Sequence, residues 1–322
     1  MALQCGIVGL PNVGKSTLFN ALTRTAAAQA ANYPFCTIEP NQATVPVPDA
    51  RLAALAACVH PGRIVPAMVD FVDIAGLVRG ASRGDGLGNQ FLGRIREVSA
   101  IIHVVRCFED DDVVHVEGGV DPVRDIQIIE TELLLADLQT LEKRMDRVGR
   151  QARADKALRA EVAVMEGLKA HLDAGKPARQ YPRPEGDPVL AVLADLHLLT
   201  DKPVIYCANL GDGDLAPRDA CAPLAAVREH ARADGTAVIM IAAQLEAELS
   251  AMAEAERTEM LAAYGLAESG LDQTIRMAYG TLGLISFFTA GPMEVRAWTI
   301  RAGTRAPQAA GVIHGDFERG FI

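Results

Sequence analysis

The pattern of apolar and polar positions divides the chain into three rhythms. From residue 1 to about 120, short apolar runs alternate with Gly-rich loops and helical stretches. Residues 3–8 predict a first strand, and residues 17–22 begin an amphipathic helix. Residues 68–72 (Met-Val-Asp-Phe-Val) alternate apolar and polar side chains, the period of a half-buried strand. Residues 100–105 (Ala-Ile-Ile-His-Val-Val) are almost continuously apolar, as expected of a parallel strand covered on both faces. This alternation predicts a doubly wound α/β fold with a mostly parallel sheet.

Between about 121 and 175 the period changes. Leu134, Leu138, Leu141, Met145 and Val148 are spaced by 4, 3, 4 and 3, a heptad seam. Leu158, Val162, Met165, Leu168 and Leu172 mark a second stripe. Gly149 stands between the stripes, and Gly175 and Pro177 close the second. The pattern predicts an antiparallel, coiled-coil helical hairpin inserted into the sheet domain. Lys143, Arg144, Arg147, Arg150, Arg153, Lys156 and Arg159 gather toward its tip, diluted by Asp146 and Asp155. Such a cluster is either a solvated helix face or a contact for a phosphate backbone such as ribosomal RNA.

In the third rhythm the sheet resumes. Residues 178–187 are a Pro/Gly-rich linker. Asp187 and Pro188 predict the cap and first turn of a helix running through Leu199. Residues 203–208 and 237–242 read as further strands, and 284–289 and 294–300 as two strands around Ala290-Gly291-Pro292. The resulting division is 1–122 and 188–278 for the two parts of the sheet domain, 123–187 for the helical insertion and 279–322 for a β-rich appendix.

Composition narrows the classes. A chain of 322 residues, half of them hydrophobic, allows two or three packed units. No apolar run is long enough to span a bilayer, and no basic segment precedes the first apolar residues, so neither a membrane partner nor a signal peptide is expected. The six cysteines show no C-x-x-C spacing, which favours reduced thiols in a cytosol over zinc or disulfides. A net charge of −10 argues against a globally basic DNA binder but leaves local basic patches open.

The chemistry centres on Gly9-Leu10-Pro11-Asn12-Val13-Gly14-Lys15-Ser16, which fits G-x-x-x-x-G-K-[ST] between the predicted first strand and helix. Pro11, Asn12, Val13, Gly14, Lys15, Ser16 and Thr17 form the candidate phosphate-binding segment. The glycines let the backbone wrap a phosphate chain, and N–H groups at the helix start point at it. Lys15 would reach the outer phosphates and the Ser16 hydroxyl would ligate Mg²⁺. Asp73-Ile74-Ala75-Gly76 supplies a carboxylate for Mg²⁺ and, at Gly76, an N–H for the terminal phosphate. Thr37 lies where a second hydroxyl ligand for Mg²⁺ is expected. Asn209, Leu210 and Asp212 stand where guanine-specific NTPases carry N-K-x-D, but Leu210 replaces the lysine, so residue chemistry leaves ATP and GTP both open. Ala243 lies in the expected base-contacting loop. Leu77 follows Gly76 where many switches place a water-orienting Gln, so hydrolysis is slow or another group takes that part.

Residues 9–20, 32–41, 73–92, 103–109 and 288–300 together resemble the YchF family of Obg-like ATPases. The resemblance spans the whole chain. It implies a translation-factor-related P-loop NTPase with a coiled-coil insertion and a C-terminal TGS domain of β-grasp type, whose strands in the family continue past Ile322. It implies His115 as the group that acts on water in place of Gln, and His103 as a core residue. It also implies preference for ATP over GTP, although the family's usual Glu is Asp212 here, and a K⁺ ligated by Asn12. A ribosomal partner and a monomeric, cytoplasmic protein are expected. Two other functions remain open, a GTPase and a nucleotide-gated RNA- or ribosome-binding module whose hydrolysis is incidental.

Overall fold

The computed structural model describes residues 3–30, 38–76, 80, 86–110, 112–152, 156–183, 189–215 and 221–322. The first part of the chain comprises β1 (Gln4–Val8), α1 (Lys15–Ala30), β2 (Ile38–Glu39), β3 (Gln42–Pro46), α2 (Ala50–Val59), β4 (Ile64–Val65), β5 (Met68–Asp73), α3 (Gly86–Glu97) and β6 (Ala100–Arg106). A helical pair follows, α4 (Pro122–Gln151) and α5 (Lys156–Asp173). The chain then runs through α6 (Val189–Leu196), β7 (Val204–Asn209), α7 (Ala222–Asp234), β8 (Ala237–Ile241), α8 (Ala243–Leu249), α9 (Glu254–Ala263) and α10 (Gly270–Thr281). It closes with β9 (Leu284–Ala290), β10 (Val295–Arg301), α11 (Ala306–Ile313) and α12 (Gly315–Arg319).

Seven strands form the main sheet in the order β2-β3-β5-β1-β6-β7-β8. The pairs β1–β5, β1–β6, β6–β7 and β7–β8 are parallel, while β3 runs antiparallel to β5 and β2 to β3. All seven residues of β6 are buried, as its continuous apolar run requires of a strand covered on both faces. Because five strands run the same way, the segments after β1, β5, β6, β7 and β8 emerge at one edge of the sheet. Ligands of open α/β sheets bind at that carboxyl edge.

The heptad seam packs as its spacing predicts. Leu134, Leu141 and Val148 of α4 meet Met165, Leu168 and Leu172 of α5 in one buried cluster. Asp121 caps α4 by accepting the Arg124 N–H, and Pro122 occupies the first turn. Gly149 does not end the first helix as its position between the stripes suggests. The helix continues through Gln151, and Val148, the residue before Gly149, is buried in the seam.

The helix expected to run from Pro188 through Leu199 is shorter. Asp187 and Pro188 lie outside the described residues, and α6 stops at Leu196. His197 adopts a left-handed φ of 48°, and Asp137 of α4 accepts the Leu199 and Thr200 N–H groups at 2.7 and 2.8 Å. Those amides leave the helix for a buried carboxylate. Val189, Val192, Leu193 and Leu196 pack into the hairpin cluster, so α6 belongs by packing to the insertion.

At the other end, β9 and β10 pair antiparallel as expected, and β4 adds a parallel third strand from the first part of the chain. Leu284, Val295 and Ala297 are buried in the same core as the main sheet. Residues 306–313 and 315–319 beyond the hairpin are helical.

Candidate nucleotide site

The phosphate loop joins β1 to α1 at the carboxyl edge. Asn12 takes a left-handed φ of 62° and Gly14 a φ of 98°, and the Gly14 C=O accepts the first helical N–H from Leu18 at 3.0 Å. A side chain at Gly14 would also collide with the Asn209 amide, so this position admits glycine alone on two grounds. Asn209 explains the closeness. Its Nδ2 donates to the Val13 C=O at 2.9 Å, and its Oδ1 accepts the Ala243 N–H at 2.9 Å. One buried amide thus ties the phosphate loop after β1 to the segment after β8. Asn209, expected at the base site, lines the cavity described next and is also a brace between two loops.

A cavity of about 540 Å³ opens between these segments. Its walls include Asn12, Gly14, Lys15, Ser16 and Thr17 from the loop, Asn209, Leu210 and Asp212 from the end of β7, and Ala243. Leu210 is 3% exposed, an apolar wall where a lysine stem would otherwise lie. Pro11 and Val13 belong to the loop but do not line the cavity; Val13 is buried beneath it. Phe108, Glu109, Asp110 and Val113 close the remaining side.

Lys15 and Asp73 share the buried end of the site. The Lys15 ammonium donates to the Leu10 C=O at 2.6 Å, and burial pushes its pKa down to about 8 against the pull of Asp73. Burial likewise raises Asp73 above the usual carboxylate range, against the pull of Lys15. For both groups desolvation outweighs mutual attraction, which primes them for stronger charged partners. Asp73 Oδ1 is buried and has no hydrogen-bond partner among the described residues. An unpartnered buried carboxylate oxygen of this kind suits a hard cation such as Mg²⁺. Gly76 packs onto the loop: a Cβ there would lie 3.0 Å from Lys15 Nζ and 3.3 Å from the Pro11 nitrogen. Thr37 and Leu77 lie outside the described residues.

Asp212 opens a short 3-10 turn on the cavity wall. Burial and the nearby Glu248 raise its pKa, opposed by a hydrogen bond from the Leu245 N–H.

His115 lies apart from the cavity. Its imidazole is buried and bonded to Asp125 of α4 at 2.8 Å. The neighbouring Val114 C=O accepts a hydrogen bond from Asn12 Nδ2 at 3.1 Å. His103 is buried on β6 as expected, and burial lowers its pKa to about 3.

Three residues that matter here carried no signal when taken singly. Arg106, fully buried at the end of β6, donates to the Phe108, Val113 and Asp110 carbonyls at 3.1, 2.8 and 3.3 Å. It shapes the cavity's fourth wall, and a charge ending an apolar strand was the available clue. Asp125 holds His115, and Glu132 one heptad further along α4 accepts the Gly80 N–H at 2.7 Å. Carboxylates on a long helix look like solvated surface until the partners are known.

Comparison with known proteins shows what the chain is similar to. The 50S ribosome-binding GTPase family matches residues 4–159, and a YchF GTPase C-terminal family, described as a protein of unknown function, matches residues 284–322. The chain is 50% identical over 323 residues to the ribosome-binding ATPase YchF of Bacillus subtilis, covering 100% of this chain and 87% of that protein. It is 47% identical over 326 residues to the Obg-like ATPase 1 of Rattus norvegicus, covering 100% of this chain and 81% of that one. The structure of the Schizosaccharomyces pombe YchF GTPase superposes with a TM-score of 0.87 at 41% identity, over 99% of this chain and 86% of that one.

Proposed function

The chain belongs to the YchF family of P-loop NTPases, and from that premise we propose that it is a Mg²⁺-dependent ATPase acting as a ribosome-associated switch with low intrinsic turnover. The observation that carries this reading is the single cavity shared by the phosphate loop, the end of β7 and Ala243, with Asn209 bracing the loops. The loop amides and Lys15 bind and orient the phosphates, and Ser16, Asp73 and Thr37 hold the ion. Mg²⁺ held there would supply charge neutralisation for the phosphoryl oxygens. Gly76 offers its N–H toward the terminal phosphate, and His115 orients the attacking water in place of Leu77. Asn12 would offer its carboxamide oxygen to K⁺, since its Nδ2 is already taken by the Val114 C=O.

ATP is favoured over GTP because Leu210, a buried apolar wall, stands where a guanine site carries the lysine of N-K-x-D. The retained Asp212 on the cavity wall is the one observation that favours a GTPase. Competition of ATP and GTP for one labelled nucleotide separates the two: ATP is expected to displace it at lower concentration, and a preference for GTP overturns the ATPase assignment. His115→Ala is expected to lose hydrolysis and keep nucleotide binding; unchanged turnover removes His115 from the mechanism.

The ribosomal partner is supported by the hairpin tip and by the names of the B. subtilis relative and the matching family. In the same reading residues 279–322 form part of a TGS domain, and the protein is a cytoplasmic monomer. No described helix is long and apolar enough to cross a membrane.

A further inference from the structure

The imidazole assigned to the attacking water is stowed in this structure. Each ring nitrogen already has a partner. The Glu117 N–H donates to Nδ1 at 3.1 Å, so Nδ1 accepts and the proton sits on Nε2, 2.8 Å from Asp125 Oδ2. In that tautomer neither nitrogen offers a lone pair that could take a proton from water.

The surrounding segment is fastened to the start of α4. Arg124 donates to the Glu117 C=O at 3.2 Å and the Gly119 C=O at 2.7 Å, and its guanidinium meets Asp125 Oδ1 at 3.0 Å. From the other side Asn12 of the phosphate loop holds the Val114 C=O. The segment is therefore held at Val114 by the nucleotide loop and at His115 by the first helix of the hairpin.

We propose that Asp125 is a positioning residue for hydrolysis: its carboxylate latches His115 away from the cavity, and turnover proceeds from the molecules in which that bond is open. The inference rests on the reading of His115 as the group that acts on water. Opening does not strand a bare buried charge. Asp125 is 2% exposed, but Arg124 stays beside it as counterion when the imidazole leaves. The latch is also separate from nucleotide binding, since neither His115 nor Asp125 lines the cavity.

The amide variant Asp125→Asn weakens the stowed state selectively. Asn has one carbonyl oxygen for two donors, His115 Nε2–H and the Arg124 guanidinium, and the charge assistance is gone. The test is steady-state ATP hydrolysis by the full chain, with kcat and KM read separately, for Asp125→Asn, Asp125→Glu, His115→Ala and the double variant His115→Ala/Asp125→Asn. Asp125→Asn is expected to raise kcat about tenfold with KM unchanged. Asp125→Glu, which keeps the charge, stays nearer wild type, and the double variant is as slow as His115→Ala alone. A kcat for Asp125→Asn at or below wild type overturns the latch, even with His115→Ala inactive. A gain that persists in the double variant also overturns it, because loosening then acts without His115. Wild-type turnover in His115→Ala removes the underlying reading instead.

Discussion

Lys15 is buried beside a carboxylate it does not fully benefit from, and its pKa falls from 10.5 to about 8. A triphosphate in the cavity would supply the compensating charge and restore the proton. Between about 8 and 10.5 the unfolded chain therefore binds more protons than the folded one, so the fold without nucleotide gains stability as pH rises through that window. Nucleotide binding runs the opposite way. It takes up a proton above about pH 8, so affinity falls as pH rises further. Calorimetry near pH ~8.5 in two buffers of different ionisation enthalpy should show proton uptake that is absent in Lys15→Met. Buffer-independent heats in the wild type would contradict this account. The glycines at 14 and 76 act by the same closeness. At each, the missing side chain is what lets the Asn209 amide or the Lys15 ammonium approach the backbone.

The long helix α4 links the hairpin to the nucleotide site. Asp125 and Glu132 are seven residues apart, two turns on one face, and they hold respectively His115 and the Gly80 N–H. Each contact joins α4 to a segment that follows a central strand at the carboxyl edge. Asp137, further along, fixes the return of the chain into the sheet through Leu199 and Thr200. Beyond it the heptad seam takes over. Leu141 is fully buried between the helices, so Leu141→Ala is expected to cost about 2–5 kcal/mol in denaturant unfolding. Leu135, 39% exposed on the same helix, should cost less than about 1 kcal/mol when changed to Ala. Equal losses at the two positions would mean that the seam is not the packed face.

For the molecule as a whole, the hairpin tip is the candidate contact with a phosphate backbone. The basic cluster is not uniform. Arg144 is committed to Glu161 at 2.8 Å and Asp195 at 3.4 Å, bracing α4 against α5 and α6. Lys143, Arg147 and Arg150 are exposed. Reversing Arg147 and Arg150 to Glu should weaken ribosome co-sedimentation, most visibly at low salt, and leave ATP turnover of the isolated protein unchanged. Intact co-sedimentation would move the ribosome contact away from the tip.

How much could be read in advance follows from how local each signal is. The phosphate loop, the strand–helix alternation and the heptad seam depend on residues near one another in the chain, and all three stand in the structure as the sequence predicts. Helix ends were less legible. Gly149 lies inside a helix whose Val148 packs in the seam, and α6 stops early because Asp137 captures amides from a segment 62 and 63 residues away. The C-terminal strands were visible as alternation, but their third partner, β4, comes from the far end of the sequence. What the sequence alone determined is the chemistry of phosphate binding, since a spacing of glycines, Lys and Ser between a strand and a helix builds the same loop wherever it occurs. What only the tertiary structure decided is which distant groups meet that loop: Asn209 on Val13, Asp73 beside Lys15, and His115 turned onto Asp125. Those pairings depend on strand order and helix placement, and no local pattern encodes the distance between side chains brought together by a sheet.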